Sequence, residues 1–130
     1  MKYFYAIMHK DEDSAYGVTF PDLPGCFSAA DSEDDVLRNA SEALELWFDD
    51  QPYVEPSRLD QVRASAAEEI KGGGTLIAVP HIRNDHRVAR VNLSIERGIL
   101  DAIDKAAAER RLTRSAFVAQ AARNEILGAH

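Results

Sequence analysis

The chain has 130 residues with a formal net charge of −7, 45% hydrophobic and 28% charged. Such a composition belongs to a soluble globular protein with room for one modest core, or for a small core plus an appendage that needs a partner. No apolar run is long enough to cross a bilayer, and the single cysteine, Cys26, excludes an internal disulfide, which fits a reducing, cytoplasmic setting.

The opening segment Met1–Met8 is apolar, but it meets a charged run at His9–Asp13 and lacks a small-residue cleavage site, so it reads as a strand and not as a signal peptide. Residues 2–8 and 15–20 are predicted strands joined by the polar turn 9–14. Pro21-Asp22-Leu23-Pro24-Gly25 ends the second strand, because its prolines cannot donate to a ladder and its glycine permits a tight bend. Cys26–Ala30 is a third strand, with Cys26 read as a small buried hydrophobe.

Ser32 is the expected N-cap of the strongest helix, with Asp35 at the position of a weak capping box and Asp31, Glu33 and Asp34 suited to the positive end of the dipole. Val36, Leu37, Ala40, Leu44, Trp47 and Phe48 recur at helical spacing and are expected to cover one face of the sheet, while Glu33, Arg38, Glu42, Glu45 and Asp49 stay wet. Pro52 and Pro56 close the helix, and Tyr53 between them is open to either burial or partner contact. A second, Ala-rich helix is predicted over Ser57–Ile70, stopped by the turn Gly72-Gly73-Gly74, and Thr75–Pro80 is a fourth strand. The order β-β-β-α-(α)-β predicts a small α+β sandwich, sheet on helix.

The tail begins with one alternating segment, Arg87–Ser94, which places Val91, Leu93 and Ile95 on one side and Arg90, Asn92 and Ser94 on the other. Two short amphipathic helices follow, and the whole is too small to fold alone. A lone strand needs a partner, and the simplest is the same strand of a second copy. The resulting antiparallel ribbon is narrow enough for the major groove of DNA, where Arg suits guanine and Asn suits adenine. Charge supports the division. Residues 1–80 hold 16 acidic and 6 basic side chains, net −10, whereas residues 81–130 hold 6 and 9, net +3. An acidic front suits a basic partner and a basic tail suits phosphate.

Other chemistry finds less support. The acids Asp31, Glu33, Asp34 and Asp35 could hold Mg²⁺ for phosphodiester cleavage, but a helix start explains them without a metal. His9, His81, His86 and His130 lack the spacing of a zinc site and read as solvated. The glycine triplet lacks the Lys-Ser/Thr of a phosphate loop. No metal, cofactor or catalytic set is expected.

Two resemblances cover most of the chain. Through Tyr16-Gly17-Val18-Thr19-Phe20-Pro21-Asp22-Leu23-Pro24-Gly25-Cys26 and Ala40-x-x-Ala43-Leu44, the front half resembles the HicB-type antitoxins. That implies a shortened, non-catalytic ribonuclease-H-like domain over residues 1–80 that wraps a small basic RNA-cleaving HicA-like toxin. Through the strand Arg90-Val91-Asn92-Leu93-Ser94-Ile95, the helix Ile99-Leu100-x-x-Ile103 and the turn Arg111-Leu112-Thr113-Arg114-Ser115-Ala116-Phe117, residues 87–130 resemble the ribbon-helix-helix proteins. That implies base reading by Arg90, Asn92 and Ser94, and a phosphate seat at Thr113, Arg114 and Ser115. It also implies dimerisation through Val91, Leu93 and Ile95. Glu96 and Gly98 depart from the usual opening of the first helix.

With residues 81–86 as a linker, the expectation is an antitoxin that occludes its toxin and represses its own operon as a dimer on operator DNA. The pairing of dimers into a tetramer is left open. The alternatives are a stand-alone ribbon-helix-helix regulator with a ligand-sensing front domain, and a metal-dependent nuclease.

Overall fold

The computed structural model describes residues 1–83 and 87–128, and the chain divides into two units, residues 1–83 and 84–130. His86 and His130 lie outside the described residues. Unit 1 holds strands β1 (Lys2–Lys10), β2 (Tyr16–Thr19) and β3 (Phe27–Ala30), helices α1 (Glu33–Asp49), α2 (Leu59–Ser65) and α3 (Ala67–Lys71), and strand β4 (Thr75–His81). Unit 2 holds α4 (Arg97–Glu109) and α5 (Arg114–Leu127).

The four strands form one antiparallel sheet in the order β3-β2-β1-β4. Its register is fixed by pairs such as Ile7 with Thr19, Phe4 with Val79 and Val18 with Ser28. Because side chains alternate, Phe4 and Ala6 of β1, Val18 of β2, Ala30 of β3 and Val79 of β4 share one face, and Val36, Ala40 and Leu44 of α1 pack on it. Pro80 is tolerated because β4 is an edge strand.

The Pro-Asp-Leu-Pro-Gly run folds back on itself. The Leu23 amide donates to the Phe20 carbonyl at 3.1 Å, the Cys26 amide to Leu23 at 2.9 Å, and the Phe20 amide to Cys26 at 3.3 Å. Gly25 takes φ +90°, a left-handed value that explains a glycine there, and the turn drives Leu23 fully into the core. Asp22 reaches outward to accept the Ser57 amide at 2.7 Å.

Helix α1 starts where its sequence signals, but Ser32 does not close a capping box: its hydroxyl donates to the Asp35 carboxylate at 3.1 Å. Asp35 also takes the Arg38 guanidinium. Leu37, expected on the sheet, lies at the rim and is exposed, whereas Ser41, on the packed side, is buried and donates to the Pro80 carbonyl at 3.4 Å. The single helix expected over 57–70 is two short ones. Ser57 is drawn away by Asp22, the Arg58 amide is satisfied by the Gln61 side chain at 3.0 Å, and the helix breaks at Ala66. Ser65 back-bonds to the Val62 carbonyl at 3.1 Å just before the break, a competition that weakens helices.

Cys26 is buried as expected, and burial pushes its thiol up from 9.0 to about 11. The thiolate is therefore scarce near neutrality. At about pH 8 the folded protein should react with Ellman's reagent at least tenfold more slowly than the unfolded chain, and a fast reaction of native protein would contradict the burial.

His81 corrects the sequence reading. It is not a solvated linker residue but the last residue of β4, only 4% exposed, with its ring 4.8 Å from Phe48, 5.8 Å from Phe4 and 6.4 Å from Tyr53. Tyr53 completes this aromatic cluster, and the Arg83 guanidinium lies 4.3 Å from the centre of its ring. The His81 Nδ1 atom is buried with no hydrogen-bond partner among the described residues. Burial holds its pKa below the ordinary 6.5, so the folded state favours the neutral ring and the unfolded chain binds the extra proton first. The stability that His81 contributes is present above that ordinary value and falls away as pH drops beneath it. Thermal melts between pH 7 and about pH 5 should show a loss of midpoint that His81→Phe reduces. An unchanged slope in that variant would remove His81 as its source.

Candidate nucleic-acid interface

Unit 2 is built from two helices and an extended segment. Helix α4 begins at Arg97 with no side-chain cap from Glu96, and the Leu100 amide closes its first turn on the Glu96 carbonyl at 2.9 Å. Gly98 sits inside that turn with open space around it. The end of α4 is well made. The Arg111 amide donates to Ala108 at 3.1 Å and the Leu112 amide to Ala107 at 2.8 Å, the paired bonds of a Schellman turn. Arg111 occupies its left-handed position at φ 57°, where glycine is usual.

Thr113 then caps α5, its hydroxyl accepting the Ala116 amide at 3.1 Å, and Gly128 ends the helix at φ 72°. The cap satisfies one of the first orphan amides, leaving those of Arg114 and Ser115 without an intrahelical acceptor. The Arg114 guanidinium lies in a fork on Asp104, Nε to Oδ1 and Nη2 to Oδ2, both at 2.8 Å. Arg110 sits 5.5 Å from the centre of the Phe117 ring.

Residues 87–96, expected to contain the strand, form no ladder among the described residues. A strand is defined by its partner, and unit 2 offers none among the described residues. Val91 is 69% exposed and Leu93 65%, and Ile95 and Ile99 are also exposed. Only Ala107 and Leu127 of the described tail residues are buried. Asn92, Ser94, Arg114 and Ser115 border one open groove, together with apolar Leu93 and Val118. Arg90 and Thr113 do not line it. Sequence reasoning missed Asp104, because no periodicity links a helix residue to a partner across a turn. In unit 1 the acids Asp31, Glu33 and Asp34 are exposed at the start of α1, and among the described residues no three His, Cys, Asp or Glu side chains converge as a metal set.

A family model of the HicB-like antitoxins of bacterial toxin–antitoxin systems matches residues 4–122. The chain belongs to this HicB-like family. The antitoxin HicB of Burkholderia pseudomallei, known from a crystal structure, is 30% identical, with 100% of both chains covered and a TM-score of 0.51. Antitoxin HicB3 is 27% identical over 95% of this chain and 97% of its own, at a TM-score of 0.54. A chain of the HicA3 and HicB3 toxin–antitoxin complex matches 62% of this chain and 99% of its own, at 22% identity and a TM-score of 0.52, and shares the fold. HicB membership accounts for the mixed α+β architecture with its four-stranded antiparallel sheet and for a role as an antitoxin. No helix among the described residues is long and apolar enough to cross a membrane.

Proposed function

We propose that the chain neutralises a small basic HicA-like ribonuclease through residues 1–80, a shortened ribonuclease-H-like domain without catalysis. Residues 87–130 pair with those of a second copy as a ribbon-helix-helix dimer on operator DNA of its own cytoplasmic operon. The observation that carries the tail's part is its missing core. A unit whose described residues include two buried apolar ones and a row of exposed ones at alternating positions cannot offset its own ordering entropy. Pairing Val91, Leu93 and Ile95 across a two-fold axis supplies the missing burial and turns Arg90, Asn92 and Ser94 outward together. The acidic front supports the toxin's part, since net −10 over residues 1–80 complements a basic RNA-binding surface. In this reading the toxin is blocked by cover, not by chemistry.

Co-expression with a HicA-like toxin, sought as a small basic reading frame beside its gene, tests the first half. Co-purification and relief of growth arrest are expected, and toxicity that persists beside the intact antitoxin would refute it. For the second half, Arg90→Ala with Asn92→Ala should weaken binding to the upstream duplex about a hundredfold or more, from about 1–3 kcal/mol per base contact. Binding to a scrambled duplex should weaken far less. Equal losses on both duplexes would show that these residues do not read bases.

A further inference from the structure

Arg114 opens α5, where a cation is well placed for phosphate, yet its guanidinium is already engaged. Both oxygens of Asp104 accept from it at 2.8 Å. A fork matched to a carboxylate is the strongest geometry available to Arg and fixes the plane of the group. Asp104 lies within α4, so the pair spans the turn between the two helices, and its two charges cancel.

We propose that Asp104 withdraws Arg114 from phosphate binding and makes it a positioning residue, a neutral strut that sets α5 so that the Arg114 and Ser115 backbone amides meet the DNA backbone. The inference rests on the reading of the tail as DNA-binding and deepens it, because it moves Arg114 from the contact set to its support. Two observations agree. The Thr113 cap takes the Ala116 amide, so the amides still open are those of Arg114 and Ser115. The Asp104 carboxyl is held below its ordinary range, first by the Arg114 hydrogen bond, and the guanidinium is raised in turn, so the pair stays ionised across the range in which DNA binds. An amide seat has a further property. It offers an anion directed donors and a dipole end but no counter-charge, so it orients the backbone without adding to the salt dependence of a cation.

Salt dependence therefore tests the idea on the full-length chain, with a labelled duplex of the DNA upstream of its own reading frame and a scrambled duplex beside it. Each phosphate neutralised by a cation adds about 0.9 to the slope of log affinity against log salt. Arg114→Gln should leave the slope unchanged, and Asp104→Asn, which frees the guanidinium in both copies of the dimer, should steepen it by about 1.8 and tighten binding at low salt. A slope flattened by about 1.8 in Arg114→Gln, one phosphate for each copy, would make Arg114 a phosphate ligand and overturn the proposal. Carbon-13 NMR supplies a readout that does not involve DNA. The Asp104 carboxyl should titrate below the ordinary range in the wild type and return to it in Arg114→Gln. An ordinary midpoint in the wild type would also overturn the strut. Should the wild type bind neither duplex while Asp104 still titrates low, the DNA reading fails and this inference with it, a result distinct from loss of the strut.

Discussion

On the proposed dimer, Leu93→Asp should leave the protein monomeric at concentrations where the wild type is expected to sediment as a dimer, and should abolish the expected operator binding with it. Leu93 is 65% exposed in the single chain and sits at the centre of the alternating row. Burying such a side chain contributes about 1.5–3 kcal/mol, and two-fold symmetry applies it twice. The substitution also places two carboxylates opposite one another on a dry seam, where each meets a desolvation penalty of several kcal/mol. Lost burial alone is at least about 3 kcal/mol, more than about a hundredfold, and the carboxylate penalties carry the weakening of the dimer past about a thousandfold. Sedimentation equilibrium reads the change. Val88→Asp is the control: Val88 is 96% exposed but falls on the side of Arg90 by alternation, so it should leave the dimer intact. A Leu93→Asp protein that remains dimeric would mean that the seam lies elsewhere.

Leu44→Ala should strongly destabilise unit 1. Leu44 is fully buried where α1 meets the sheet, among Phe4, Ala40 and Val79 of the same core cluster. Truncation of such a leucine costs about 2–5 kcal/mol through lost transfer energy and the cavity left behind. A domain of this size shifts its midpoint by about 4–8 °C per kcal/mol, so a fall of roughly 8–40 °C is expected by calorimetry. Leu46, two positions on, is 70% exposed, and Leu46→Ala should change stability by about 0.5 kcal/mol or less. Equal effects at the two positions would mean that α1 packs by another face.

The strands were legible because period-two alternation survives wherever one face is buried. Phe4 with Ala6, Val18 with Phe20 and Ile77 with Val79 mark the side packed on α1, although Ile7 on the other face of β1 is buried as well. The same rule, carried one step further, reaches His81. It was missed because histidine reads as polar, although the spacing Ile77, Val79, His81 already pointed it inward. The start of α2 at Leu59 instead of Ser57 was not legible, since it depends on Asp22 accepting the Ser57 amide and Gln61 the Arg58 amide, and Asp22 is distant in sequence. In the tail the helices and the Thr113 cap followed from local signals. The tie between Asp104 and Arg114 did not, because it joins two helices across a turn whose geometry Arg111 sets from a left-handed conformation that its side-chain type does not advertise.

The pairing of the first strand with the last has a consequence for how the front unit comes into being. Lys2 faces His81 and Met8 faces Thr75, so the longest seam of the sheet joins the two ends of the unit. Until the fourth strand arrives, β1 has a naked border and the Phe4 ring lacks its Val79 neighbour, so a nascent chain cut short before residue 75 cannot reach a stable intermediate by adding strands in sequence order. Contacts this far apart along the chain make assembly slow, because the closure entropy is lost before any contact rewards it. Acquisition of the fold is thus all-or-none over the whole unit, and a ribosome that releases the chain early yields an adhesive fragment instead of a smaller working module.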